Sequence, residues 1–165
     1  MSEVFVRPAD ESDNEVLIEM LRRLQDYERV LHPSRRPGME VADFQYKRVI
    51  DAAKNFGGAI LVAVFEEELV GMIAGWMIID QDQLQYMEFR EHGYISDLFV
   101  NPERRGKDIA QHLLYAMEQH LIASGARRLS IGSLARNGPA IAAYRTFGFE
   151  PFEITLEKYI GKPTT

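Results

Sequence analysis

Arg104-Arg105-Gly106-Lys107-Asp108-Ile109-Ala110 puts three cations and a glycine where a hydrophobic segment gives way to an amphipathic one. A helix starting there presents backbone N–H groups without intrahelical acceptors and the positive end of its dipole, and both favour phosphate. Gly106 removes a side chain where backbone could meet a ligand, and Ala110 keeps the helix slim. Two other places could carry chemistry. Asp97 stands in Tyr94-Ile95-Ser96-Asp97-Leu98-Phe99-Val100, where strict alternation sets Ile95, Asp97 and Phe99 on one face, a carboxylate among apolar neighbours. Asn137 and Tyr144 lie seven residues apart, nearly two helical turns, so both face one groove if a helix starts promptly at Asn137-Gly138-Pro139. Glu88, Glu91 and His92, ahead of the Asp97 strand, are reserve acid-base candidates.

The elements that must position these groups follow from periodicity. Val4 to Pro8 reads as a short strand, and Asp13 to about Arg29 as a helix with Val16, Leu17, Met20, Leu21 and Leu24 at helical spacing. His32 to Gly38 breaks the pattern. About Val41 to Asn55 reads as a second helix with Phe44, Val49, Ile50 and Ala53 on one side, ended by Gly57-Gly58. Ala59 to Phe65 and Leu69 to Ile79, joined by a charged turn, predict an antiparallel hairpin, and Asp80 to His92 a polar connection. Tyr94 to Val100 is a central strand stopped by Asn101-Pro102. Gly106 to about Ser124 is a helix with Ile109, Ala110, Leu113, Leu114, Met117 and Leu121 along one stripe. Arg128 to Leu134 follows as a strand, Pro139 to Phe147 as a short helix, and Ile154 to Tyr159 as a closing strand.

A chain of 165 residues with 46% apolar content suits one domain over residues 1–165 with a full core. Its apolar stretches are too short and interrupted to span a bilayer, and Met1-Ser2-Glu3-Val4 is no basic, apolar leader, so a cytoplasmic protein without a membrane partner is expected. The absence of cysteine removes disulfides, thiolate metal sites and a cysteine nucleophile; no metal is expected. A net charge of −6 argues against a nucleic-acid partner and mildly favours cationic ligands. Neither Lys-Ser/Thr after the glycine nor a glycine triplet is present, so the common nucleotide fingerprints are not met.

With these motifs the whole chain resembles the GCN5-related N-acetyltransferase family. The family signature Gln/Arg-x-x-Gly-x-Gly/Ala is matched by Arg105-Gly106-Lys107-Asp108-Ile109-Ala110, with Asp108 where glycine is expected. The resemblance implies an α/β (α+β) acetyltransferase fold, with a central mixed, mostly antiparallel sheet flanked by helices on both faces. It assigns Arg105, Gly106, Lys107, Asp108, Ile109 and Ala110 to the coenzyme A pyrophosphate. It pairs the backbone of Leu98, Phe99 and Val100, where the strand splays from its neighbour, with the pantetheine arm, which Asn137 also contacts. Tyr144 protonates the leaving thiolate, and Asp97 resembles the carboxylate that aminoglycoside and diamine members use as base or amine-binding anion. The Asp108 charge sits near the phosphates, with Arg104, Arg105 and Lys107 offsetting it, and so weakens coenzyme binding relative to glycine.

The implied reaction moves an acetyl group from acetyl-CoA to a primary amine of a small cationic molecule. An alkylamine of pKa about 10 is roughly 0.1% neutral at pH 7, so a base or water relay must take its proton. No covalent enzyme intermediate is needed. A protein N-terminus or lysine as acceptor, and a coenzyme A-binding module without turnover, are the alternatives. A homodimer is plausible for such a protein, with Trp76 or Phe89 as contributors.

Overall fold

The computed structural model describes residues 3–162. Five strands, β1 (Phe5–Pro8), β2 (Ala59–Phe65), β3 (Glu68–Ile79), β4 (Glu91–Val100) and β5 (Leu129–Ile131), form one sheet in the order β1-β2-β3-β4-β5. The first four are antiparallel neighbours, whereas β5 runs parallel to β4. Helices α1 (Asn14–Leu31) and α2 (Gly38–Asn55) cover one face, and α4 (Ile109–Ala123) and α5 (Gly138–Phe147) belong to the other; α3 (Met87–Arg90) is a single turn before β4. The expected mixed, mostly antiparallel sheet with helices on both faces is observed.

Two apolar layers hold this sandwich. Leu17, Met20, Leu21 and Val49 of α1 and α2 pack on Val62, Met72 and Trp76, while Leu113, Leu114, Met117 and Leu121 of α4 pack on Leu61, Ile73 and Ile95. Each fully buried aliphatic side chain contributes about 1.5–3 kcal/mol, and α4 supplies four in a row at helical spacing. α2 begins at Gly38, earlier than its apolar pattern indicates, because Asp26 of α1 reaches over to accept the Gly38 N–H at 2.7 Å. A Cβ at Gly38 would lie 2.2 Å from the Arg22 carbonyl oxygen, so glycine permits the close crossing of α1 and α2. Phe44 does not join the buried stripe of α2: it is 71% exposed, and Ala42, Val49 and Ala53 are the residues turned inward.

Other boundaries also move. β4 starts three residues early, at Glu91, because β3 continues its ladder down to Ile79–Glu91. The Arg128 to Leu134 strand shrinks to Leu129–Ile131, the only stretch that finds β4. Ile154 to Tyr159 forms no strand: residues 149–159 carry no regular structure, and no ladder reaches them. α4 begins at Ile109 and leaves Gly106 to Asp108 in the turn, since Gly106 (φ 82°) and Asp108 (φ 55°) are both left-handed. Trp76 is buried against Tyr94, 5.6 Å between ring centres, and offers nothing to an interface.

Candidate functional site

The sheet divides at Ile95. β4 and β5 pair only from Gly93–Leu129 to Ile95–Ile131 and then part. The register with β3 slips at the same place, Ala74 opposing Asp97 and Gly75 opposing Ile95, so Ser96 is an extra, bulged residue on β4. An inserted residue reverses side-chain parity. Ile95 packs under α4, whereas Phe99, with which strict alternation would group it, packs under α1 and α2; Leu98 and Val100 take the α4 side. Asp97 is turned to the α2 side, where Gln45 Nε2 donates to both its carboxylate oxygens at 3.0 and 3.1 Å. The expected grouping of Ile95 with Asp97 is therefore wrong, and the bulge is the reason.

A cavity of about 370 Å³ opens at this divergence, within the range of roughly 300–1,000 Å³ usual for ligand pockets. Asp97, Leu98, Phe99 and Val100 form its floor with Ile131 at the end of β5 and Gly132 and Ser133 just after it. Arg105, Gly106, Asp108, Ile109 and Ala110 form one end, and Asn137 and Tyr144 one side. The structure thus gathers eleven of the twelve residues that the family resemblance assigns to the site. Lys107 is the exception: its Nζ lies 4.7 Å from the centre of the Phe65 ring, outside the cavity wall. Arg104 also turns away, to Glu66 (3.4 Å) in the β2–β3 turn and Glu68 (2.7 Å) at the start of β3. Of the three cations only Arg105 lines the cavity, with its guanidinium 5.9 Å from the Tyr27 ring centre.

The turn supplies donors by geometry rather than by side chains. The first helical bond of α4 runs from the His112 N–H to the Asp108 carbonyl at 3.0 Å, so Ile109, Ala110 and Gln111 carry N–H groups with no helical acceptor. The Asp108 side chain caps none of them. Asn137 is an N-cap as well as a wall: its Oδ1 accepts from the Ala140 N–H and from the Tyr27 hydroxyl, both at 3.4 Å.

The opposite wall holds residues that the motifs did not disclose. Glu28 of α1 lines the cavity, with Arg35 Nε 3.3 Å from its Oε2. Burial raises the Glu28 carboxyl above the ordinary carboxylate range; Arg35 opposes this and Asp97 adds to it. Burial likewise raises Asp97, against the hydrogen bonds from Ser96 Oγ (2.5 Å) and Gln45. Tyr144 is pushed up to about 12 by burial, then by Glu28 and Asp97, so it is a neutral phenol throughout the physiological range. Glu28 was legible in principle: Leu17, Leu21, Leu24 and Glu28 follow the inner stripe of α1, and a carboxylate stands where the next apolar residue belongs. Gln45 likewise interrupts the inner side of α2 between Ala42 and Val49.

The reserve candidates lie elsewhere. Glu88 and Glu91 are exposed. His92 is buried, its Nε2 3.0 Å from Ser130 Oγ, with its pKa lowered by burial, and does not line the cavity. Among the described residues no cluster suits a metal ion, and no helix is long and apolar enough to cross a membrane.

The profile described as acetyltransferase (GNAT) family matches residues 17–149; no curated protein matches the chain. Among solved structures the fold is similar to aminoglycoside N-acetyltransferase AAC(6')-Iy in complex with CoA, with TM-score 0.71 and 16% identity over 96% of this chain and 95% of that one. The same enzyme in complex with the bisubstrate analogue CoA-S-monomethyl-acetylneamine gives TM-score 0.70 and 15% identity over 96% and 98%. A GCN5-related N-acetyltransferase from Ralstonia eutropha gives TM-score 0.72 and 16% identity over 96% and 100%.

Proposed function

The chain belongs to the acetyltransferase (GNAT) family, and from that premise we propose that it transfers acetyl from acetyl-CoA to a primary amine of a small cationic molecule by direct attack. One observation carries this reading. Two carboxylates, Glu28 and Asp97, share a cavity with the neutral phenol of Tyr144, and the far end of that cavity is the N-terminus of α4. A cationic amine suits the first pair, a pyrophosphate the second end, and the reacting groups meet between them.

The open N–H groups of Ile109, Ala110 and Gln111, with the dipole of α4 and Arg105, bind the diphosphate. The exposed peptide edge of Leu98 to Val100, freed by the parting of β4 and β5, pairs with the amide-bearing arm as an added strand would. Asp97 anchors the ammonium and takes its proton directly or through water. Its raised pKa makes it a better base than a solvated carboxylate, and Gln45 and Ser96 fix its orientation. The neutral nitrogen then attacks the thioester carbon, the tetrahedral adduct collapses with cleavage of the C–S bond, the departing thiolate takes the Tyr144 proton, and the surplus proton on the new amide nitrogen returns to the Tyr144 phenolate directly or through water while Asp97 releases its own to solvent. Glu28 holds positive charge on the acceptor beside the reacting amine. The small-amine assignment is also supported by the likeness to an aminoglycoside acetyltransferase seen with a bisubstrate analogue.

Thiol release from acetyl-CoA in the presence of mono-, di- and polyamines tests the proposal. Acceleration by cationic amines is expected. Coenzyme A binding with no acceleration by any amine would leave a binding module, and acceleration only by peptides would move the acceptor to a protein terminus or lysine.

A further inference from the structure

The donor end of the cavity is short of positive charge. Five charged residues line the cavity, the acids Glu28, Asp97 and Asp108 against the cations Arg23 and Arg105. Arg105 and Asp108 belong to the turn itself and offset one another, while Arg104 and Lys107 are drawn off to Glu68 and Phe65. A diphosphate diester carries a negative charge on each phosphate, and the open N–H groups of α4 with Arg105 answer them only in part. Arg23 is the cation still without a task. Its guanidinium lies 5.2 Å from the Phe99 ring centre, and it makes no hydrogen bond or ion pair among the described residues. Glu19, one helical turn earlier, feels its charge but is held by Arg22. The cations that act on the buried carboxylates are Arg35 for Glu28 and Arg48 for Asp97, not Arg23.

We propose that Arg23 is the second cation of the diphosphate site, reaching from α1 toward the phosphates that the N-terminus of α4 binds. The proposal rests on the coenzyme A reading above and adds a residue to it. Position on α1 decides which end of the cavity Arg23 serves. Arg23 and Tyr27 are one turn apart on a single stripe of the helix. Tyr27 faces the donor side, with its ring centre 5.9 Å from the Arg105 guanidinium and its hydroxyl 3.4 Å from Asn137 Oδ1. Glu28, on the neighbouring stripe, instead acts on Tyr144 and is acted on by Asp97. Phe99, beside Arg23, lies in the Leu98 to Val100 edge proposed for the amide-bearing arm, one residue before β4 ends and the chain turns toward Arg105. A guanidinium over an aromatic ring is held there while the N–H groups at its rim stay free to donate, and its planar fork suits phosphate oxygens. Arg23 thereby offsets the charge that Asp108 brings to a position where the signature has glycine.

Calorimetric titration of the full chain with coenzyme A, dephospho-coenzyme A, 4′-phosphopantetheine and pantetheine separates the groups that Arg23 could meet. Arg23→Gln is expected to weaken the first three, the two nucleotides alike and about tenfold, and to leave pantetheine unchanged. Arg23→Lys, which keeps the charge without the fork, is expected to recover part of the loss, and the gap between wild type and Arg23→Gln is expected to narrow as salt rises. The far-ultraviolet circular dichroism is expected to match the wild type in both variants, since Arg23 is only half-buried. Unchanged affinity for coenzyme A in Arg23→Gln, or a loss that extends equally to pantetheine, would overturn the proposal. So would a loss confined to coenzyme A, which would place Arg23 at the ribose phosphate, or one confined to the two nucleotides, which would place it at the adenosine. A wild-type chain that binds no coenzyme A would overturn the coenzyme A reading together with this proposal, whereas any of the other contrary results overturns the Arg23 assignment alone.

Discussion

On one wall of the cavity the turn from Arg105 to Asp108 and the first turn of α4 present mostly backbone; on the other, Glu28, Ser96 and Asp97 present side chains from α1 and a bulge in β4, with Gln45 of α2 donating to Asp97. The first wall is local, with its open N–H groups created by where a helix begins. The second is assembled across the fold, and each member depends on a neighbour: Gln45 on the α1–α2 crossing that Gly38 allows, Asp97 on the parity change at Ser96. A wall made of backbone tolerates side-chain replacement. A wall made of side chains does not, and it also bears the energetic cost of buried carboxylates.

The sharpest way to break that comparison is Asp97→Asn, which removes the proposed base and amine-binding anion together; kcat/KM is expected to fall about 10³-fold in steady-state assays with the best amine. The same variant is expected to melt at a higher temperature than the wild type at neutral pH. The sign follows from burial: the folded-state pKa of Asp97 is raised, so the wild type loses stability as pH rises from the unfolded-state value through the folded one. Melting curves across that window should show the variant's advantage vanish below about pH 4. Equal melting temperatures at every pH would mean that the carboxylate carries no cost.

Tyr144→Phe is expected to lower kcat about 10²-fold, with KM for the amine little changed, since in the proposed reaction the phenol protonates the leaving thiolate. Because its pKa is pushed up to about 12, no alkaline limb from Tyr144 should enter the pH-rate profile below about pH 11, and the acidic limb should reflect a carboxyl above its ordinary value. Glu28→Gln is a smaller change on the same wall: KM for a diamine should rise about tenfold, or about 1.4 kcal/mol, with kcat retained and monoamines much less affected.

The least effect is expected on the backbone wall. Asp108 occupies a left-handed conformation at φ 55°, which glycine adopts without the cost of roughly 1–2 kcal/mol borne by other residues. Asp108→Gly should stabilise the free protein by about 1 kcal/mol in denaturant titrations and tighten acetyl-CoA about threefold by calorimetry. Weaker binding would show that the Asp108 carboxylate does more than repel the phosphates.

The two walls also differ in how much of them could be read from residues alone. The Arg105 to Ala110 turn, Asn137 and Tyr144 are legible because each is a local pattern, and the cavity includes all of them except Lys107, whose side chain is drawn to Phe65. Most helices and strands are equally plain, since their apolar periods are local. The bulge at Ser96 is not: alternation predicts Ile95 with Asp97, and only the pairing of β4 with β3 reveals the extra residue. Arg35 owes its position to the connection between α1 and α2, which no spacing encodes. The stretch 150–160 shows the converse, a strand pattern that pairs with no strand among the described residues.

The central claim, acetyl transfer to a cationic amine across this cavity, is tested most directly by measuring thiol release from acetyl-CoA with the amine panel, wild type beside Tyr144→Phe. The account predicts amine-dependent release that is fastest with dicationic acceptors and about 10²-fold slower in the variant. Release that no amine accelerates, or that Tyr144→Phe leaves unchanged, would contradict it.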